Sequence, residues 1–315
     1  MRDDVVLFIT RWATRLELPL RQLLAWLELF PSRFYDWQKR FGKANEHNGL
    51  IPKSHWLLPW ERQSILDYTQ RHPGEGYRRL TFMMLDDNVV AVSPSSVYRV
   101  LKSTGLLQVS EQKTSRKGDG FDQPVKPHEH WHIDISYINI ACTFYYLCSI
   151  LDGYSRFIVQ WALLKQMKES DIEIILQRAL ETCAEASPRV ISDNGPQFIA
   201  NDFKEFIRTM EMTHVRTSPH YPQSNGKLER YHRTIKSECV RQAGWCELEQ
   251  ATAQIEQYVT YYNTQRLHSA LGYVTPYAKL QGHEEFIFAR RQQQLRQARQ
   301  LRVQILREQP MITGG

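Results

Sequence analysis

The chain has 315 residues, 42% of them hydrophobic and 23% charged, an ordinary globular balance that suggests about two domains with a sizeable core. No run of about 18 apolar residues occurs, and the start Met1-Arg2-Asp3-Asp4-Val5 lacks the layout of a secretory signal, so a membrane partner is excluded and the cytosol expected. The five cysteines form no Cys-x-x-Cys pair, and His128, His130 and His132 have no matching cysteine pair, which speaks against a disulfide framework or a zinc site.

The net charge of +6 is uneven: residues 1–107 hold 15 basic and 11 acidic side chains, 108–127 hold 4 and 3, 128–240 hold 12 and 14, and 241–315 hold 9 and 6. Basic flanks around an acidic centre suit a polyanion-binding protein whose reactive site gathers carboxylates.

Along residues 1–42, apolar residues at helical spacing give a helix through Val5, Ile9, Trp12 and Leu16 and a second from Pro19 to Leu27. Pro31 interrupts, and Ser32 caps a third helix, Arg33 to Phe41. This trio reads as a helix-turn-helix with Arg33, Lys39 and Arg40 as DNA contacts. Residues 43–59, rich in Asn, Gly, Pro and Lys, form a connector. A second trio follows over 60–107: Trp60 to Gln70, Tyr77 to Asp86, and a helix opening at Ser93-Pro94 and stopped by Gly105. Its last helix presents Ser95, Ser96, Arg99 and Lys102 to phosphates or base edges. Residues 108–127 read as a flexible basic linker, so recognition and chemistry are expected to be separable there.

The core region, 128–240, begins with strands from Trp131, over Thr143 to Leu151 and over Phe157 to Leu164, the last two joined by the turn Asp152-Gly153-Tyr154-Ser155-Arg156. A helix (Ser170 to Ala184), a strand (Arg189 to Ser192), a helix (Asn201 to Met210), a strand near Thr213 to Thr217, a polar loop (Ser218 to Gly226) and a long helix from Lys227 follow. That order predicts an α/β sheet with helices on its faces. The chain then reads helical to Tyr262, and residues 241–315 end in an Arg-rich helical region with Arg290, Arg291, Arg296, Arg299, Arg302 and Arg307.

Asp134, Asp193 and Glu229 are candidate metal ligands. Singly, each has a plain reading: a solvated strand residue, an Asp-Asn-Gly turn, a helix-dipole glutamate. Together they offer three carboxylates, the donor set by which two metal ions could drive phosphoryl transfer. Trp131-His132-x-Asp134, Ser192-Asp193-Asn194-Gly195-Pro196-Gln197-Phe198 and Ser218-Pro219-x-x-Pro222-Gln223-Ser224-Asn225-Gly226-x-x-Glu229 resemble the motifs of the retroviral-integrase superfamily, most of all insertion-sequence transposases of the type-three group. Gly76-Tyr77-Arg78-Arg79-Leu80 and the stretch from Tyr261-Tyr262-Asn263 to Thr275-Pro276 extend the likeness over roughly residues 60–280.

The resemblance implies an RNase H-like integrase core, Mg²⁺ as cofactor with Mn²⁺ as substitute and two ions per site, and a DNA transposase that cuts element ends and joins them to target DNA. It further implies Asp134, Asp193 and Glu229 as the catalytic and metal-binding triad and Lys236 as a DNA contact on the same helix. Arg233, four residues from Glu229, shares that face; an ion pair within the helix is the competing reading. A homo-oligomer on double-stranded DNA is the expected assembly. The group often joins an upstream helix-turn-helix and zipper product to the catalytic one, whereas here the first helical pattern starts at residue 5 with no sustained heptad; either the chain is complete in itself or an upstream partner product is missing. The alternative function is a non-catalytic DNA-binding protein that retains a transposase fold.

Overall fold

The computed structural model describes residues 2–43, 55–107, 123–216 and 226–308. Most of the 43–59 connector, the 108–122 part of the linker and the polar loop at 218–225 lie outside the described residues. The chain divides into two compact units, residues 1–56 with 303–315, and residues 57–302. No helix among the described residues is long and apolar enough to cross a membrane.

In the first unit, α1 (Arg2–Leu16), α2 (Leu20–Trp26) and α3 (Pro31–Lys39) bury Val6, Ile9, Leu24 and Phe34 against one another. The third helix departs from expectation: Pro31 opens it and Ser32 is not its cap. Proline suits a first helical turn because its φ is already helical and its missing N–H would have no partner there.

The second unit opens with α4 (Pro59–Arg71), α5 (Tyr77–Asp86) and α6 (Pro94–Ser103), packed around Ile65, Leu80, Met84, Val97 and Leu101. Ser93 caps α6, its Oγ accepting the Ser96 N–H at 3.3 Å. Ser93→Ala should therefore lower stability by about 1 kcal/mol, read as a lower urea midpoint with unchanged slope; an unchanged midpoint would show the cap to be idle. Gly105 follows at φ 71°, the left-handed conformation that ends a helix most easily at glycine.

The sheet has the order β3-β2-β1-β4-β5, with β1 (His130–Ile140), β2 (Thr143–Asp152), β3 (Ile158–Leu164), β4 (Arg189–Ser192) and β5 (Thr213–Arg216). β1 pairs antiparallel with β2 and parallel with β4. One face packs on α7 (Glu169–Thr182) and α9 (Asn201–Thr209) through Trp131, Ile133, Ile150, Ile172, Leu176 and Phe203. The other packs on α10 (Gly226–Glu238) and α11 (Leu248–Thr264) through Ile138, Leu147, Leu151, Leu228, Tyr231, Ile235 and Ile255. This is an RNase H-like mixed sheet, as expected. A short helix, α8 (Pro196–Ile199), was not expected: four residues are too few to show a helical period.

The helix expected to run on past Arg241 is instead broken. A 3₁₀ turn at Val240–Gln242 and Gly244 separate α10 from α11, since the apolar face must turn to keep packing on the sheet. Asn263 of α11 then ties up edge strand β3, accepting from Ile158 N at 2.9 Å and donating to Ile158 O at 3.0 Å.

Past the short α12 (Pro276–Leu280), α13 runs from Glu284 to Glu308. Its arginines do not form a uniformly solvated basic stretch. Arg291 meets Asp86 through Nε at 2.9 Å and Nη2 at 2.5 Å, while Arg302 Nε reaches both oxygens of Glu61 at 2.8 and 2.9 Å. Arg302 also donates to Ala91 O. Among the tail arginines whose burial is described, only Arg291 and Arg302 are buried, at 3% and 4% exposure. Eleven residues apart, they lie on one side of the helix, and they fasten α13 to α4 and α5.

Candidate active site

Along β1, Trp131 and Ile133 point to the α7 side and Ile138 and Ile140 to the α10 side. The alternation that buries them sends Asp134 to the α10 side. Its Oδ1 accepts Ile135 N–H at 2.9 Å, and its Oδ2 lies 3.4 Å from His232 Nδ1. Its negative charge, after burial, pushes up the thiol pKa of Cys148.

Asp193 sits just beyond the carboxyl end of β4, where open α/β sheets place their ligand sites. Its Oδ1 accepts Gly195 N–H at 2.9 Å, so the Asp-Asn-Gly turn exists as well. In the parallel ladder His130 pairs with Arg189 and His132 with Ile191. Carried two residues further, that register sets Asp193 level with Asp134 on a neighbouring strand, and adjacent strands are about 4.8 Å apart.

Glu229 lies in the first turn of α10. Leu228, Tyr231, His232 and Ile235 form the buried face of that helix, which leaves Glu229 exposed and paired with Arg233 Nη2 at 3.2 Å. The intrahelical pair weighed for Arg233 is thus the arrangement observed. Glu229 lies one turn before His232, the residue that touches Asp134. Among the described residues, no group of three or more His, Cys, Asp or Glu side chains stands close enough to hold a metal ion. The ladder register, carried on, sets the two aspartates level, while Glu229 sits in the first turn of α10, engaged with Arg233.

Three neighbours escaped the sequence reading. His232 is 6% exposed, and its Nε2 finds no hydrogen-bond partner among the described residues; its place three residues after Glu229 on the apolar side of α10 was the available signal. Lys227 donates to Gly153 O at 2.9 Å, and burial, then the charge of Arg156, push its pKa down to about 7. Arg156 holds the same carbonyl from a backbone at φ 66°.

The candidate DNA contacts divide. Arg33, Lys39, Ser95, Arg99 and Lys102 are exposed. Arg40 is half-buried, 3.5 Å from Asp36, and Lys236 is half-buried on α10. Ser96 is a correction: at 5% exposure it lies inside the α6 cap, its Oγ 3.0 Å from Ser93 Oγ, and has no surface to offer DNA.

Residues 124–222 and 210–276 match models of the integrase core domain. The transposase for insertion sequence element IS904 of Lactococcus lactis is 27% identical over 176 residues, 51% of this chain and 68% of that protein. The transposase for IS629 of Shigella sonnei is 23% identical over 265 residues, 79% and 87% of the two chains. The catalytic core domain of BIV integrase aligns with a TM-score of 0.40 at 21% identity, over 51% of this chain and 99% of that one.

Proposed function

Because the chain belongs to the insertion-sequence transposases of the retroviral-integrase superfamily, we propose that Asp134, Asp193 and Glu229 are the carboxylates with which it cuts and joins DNA strands. It is a polynucleotidyl transferase with an integrase core. The observation that supports this reading is the parallel register of β1 and β4, which, carried two residues on, brings Asp193 level with Asp134.

The donors suit a hard cation, since all three are carboxylates and Cys148 packs on the opposite face of the sheet. Asp134, Asp193 and Glu229 would hold two Mg²⁺ ions, with Mn²⁺ as substitute. Such ions supply activation of the attacking oxygen and relief of charge on the leaving oxygen. The protein's part is placement. Ile135 N–H and His232 fix the carboxylate of Asp134, and Glu229 would exchange Arg233 for the metal site, freeing that guanidinium for a phosphate. Lys236, one turn further on, would take a phosphate on the same helix. Arg33, Lys39 and Arg40 in the first trio and Ser95, Arg99 and Lys102 in the second would hold the element ends, with copies of the chain assembled on the DNA.

Strand transfer by the full chain tests this reading, with an oligonucleotide carrying the element end and a plasmid target. Joined product is expected in Mg²⁺ or Mn²⁺ and none in EDTA. Activity that survives EDTA, or that needs zinc, would contradict the metal assignment. A chain that binds ends and joins none in either ion is the non-catalytic DNA-binding protein instead.

A further inference from the structure

The turn between β2 and β3 and the start of α10 bring three cations, Lys227, Arg156 and Arg230, around a single buried carboxylate, Asp152, whose charge reaches both Lys227 and Arg156. Lys227 Nζ and an Arg156 guanidinium nitrogen both donate to one neutral acceptor, the carbonyl of Gly153. Arg230, exposed on the next residues of α10, adds its charge to that of Arg156. The acid of this turn, Asp152, is 0% exposed, and both its oxygens are taken: Oδ1 by His128 N–H at 2.9 Å, Oδ2 by Ser155 N–H at 2.7 Å and Ser155 Oγ at 2.6 Å. Among the described residues, no carboxylate comes within ion-pair distance of Lys227, Arg156 or Arg230.

Solvated surface cations need no partner. Here Lys227 and Arg156 are half-buried, and buried charge is ordinarily paired. The positive end of the α10 helix dipole adds to the potential. Gly153 N–H donates to His130 O at 2.7 Å, which anchors the turn four residues before Asp134 on β1, about 13 Å along the strand.

We propose that Lys227, Arg156 and Arg230 form a seat for one backbone phosphate of the DNA strand that enters the active site, holding the strand at a fixed distance from Asp134. This rests on the transposase reading above. The seat binds without regard to base, since guanidinium and ammonium groups read phosphate charge.

The test is anisotropy titration of the full chain with an end-bearing duplex, in EDTA so that no chemistry intervenes, across a salt series. Arg230→Gln, which alters an exposed side chain, and Lys227→Met should each weaken binding several-fold and flatten the log Kd against log salt slope by about 1, the signature of a lost phosphate contact. A single neutral methylphosphonate, moved along the strand, should weaken the wild-type protein at one position and leave Arg230→Gln indifferent there. Unchanged slope and affinity in both variants would overturn the seat, as would the lack of any such position. Intact strand transfer with those negative results removes the seat alone. Seat-dependent binding by a chain that joins no strands removes the transposase reading and keeps the seat.

Discussion

Asp134→Ala is expected to abolish strand transfer, a fall on the order of 10⁴-fold or more, while binding to element ends stays within about twofold. The carboxylate lies on the α10 side of β1 and contributes to no apolar cluster, so its removal leaves the fold intact. Adding Asp193→Ala to that variant should change little further, because groups that act as one unit are not additive. Gel-resolved joined product at single turnover measures both. A single variant with wild-type joining, or a double variant whose loss is the product of the two single losses, would dissolve the unit.

Arg302→Met is expected to destabilise unit 57–302 by about 3–5 kcal/mol, because it strands Glu61 as a buried unpaired charge. Glu61 is 2% exposed. Besides Arg302, its Oε2 accepts Leu58 N–H at 2.9 Å at the start of α4. Glu61→Gln combined with Arg302→Met should recover much of that loss, since both charges go and an amide oxygen still serves Leu58. Urea denaturation of the three variants decides it. If the double variant is no more stable than Arg302→Met alone, the cost lies in lost packing and the ion pair is incidental. The same pair bears on the separability expected at residues 108–127: a fragment ending at 107 keeps Glu61 and Asp86 and loses Arg302 and Arg291, so it should bind DNA less stably than the linker reading implied.

Much of this was legible in the chain. Period-two alternation around Asp134 gave its face, because burying Ile133 on one side dictates the other. Tyr77 and Asp86 bound α5 as read, and Ser93-Pro94 opened α6. What failed was long-range. The sequence showed Arg291 and Arg302 only as members of an Arg-rich tail, because their partners, Asp86 and Glu61, lie 205 and 241 positions away, and a single sequence holds no signal of that pairing. Ser96 was misplaced because a capping serine and a phosphate-binding serine look alike until burial is known. His232 was passed over, although from the helix covering that face of the sheet it contacts Asp134.

The Glu61–Arg302 pair also imposes an order on synthesis. At about 5–20 residues per second, the 241 positions between the partners keep a nascent α4 waiting roughly 10–50 s for the arginine that neutralises it. Until then the α4–α6 layer is finished in sequence yet incomplete in charge, and the high separation of its contacts makes it a late-closing element of the fold. A ribosome that stalls before residue 302 would release a chain whose α4–α6 helices are already present but not yet fastened, a species for proteases to find first.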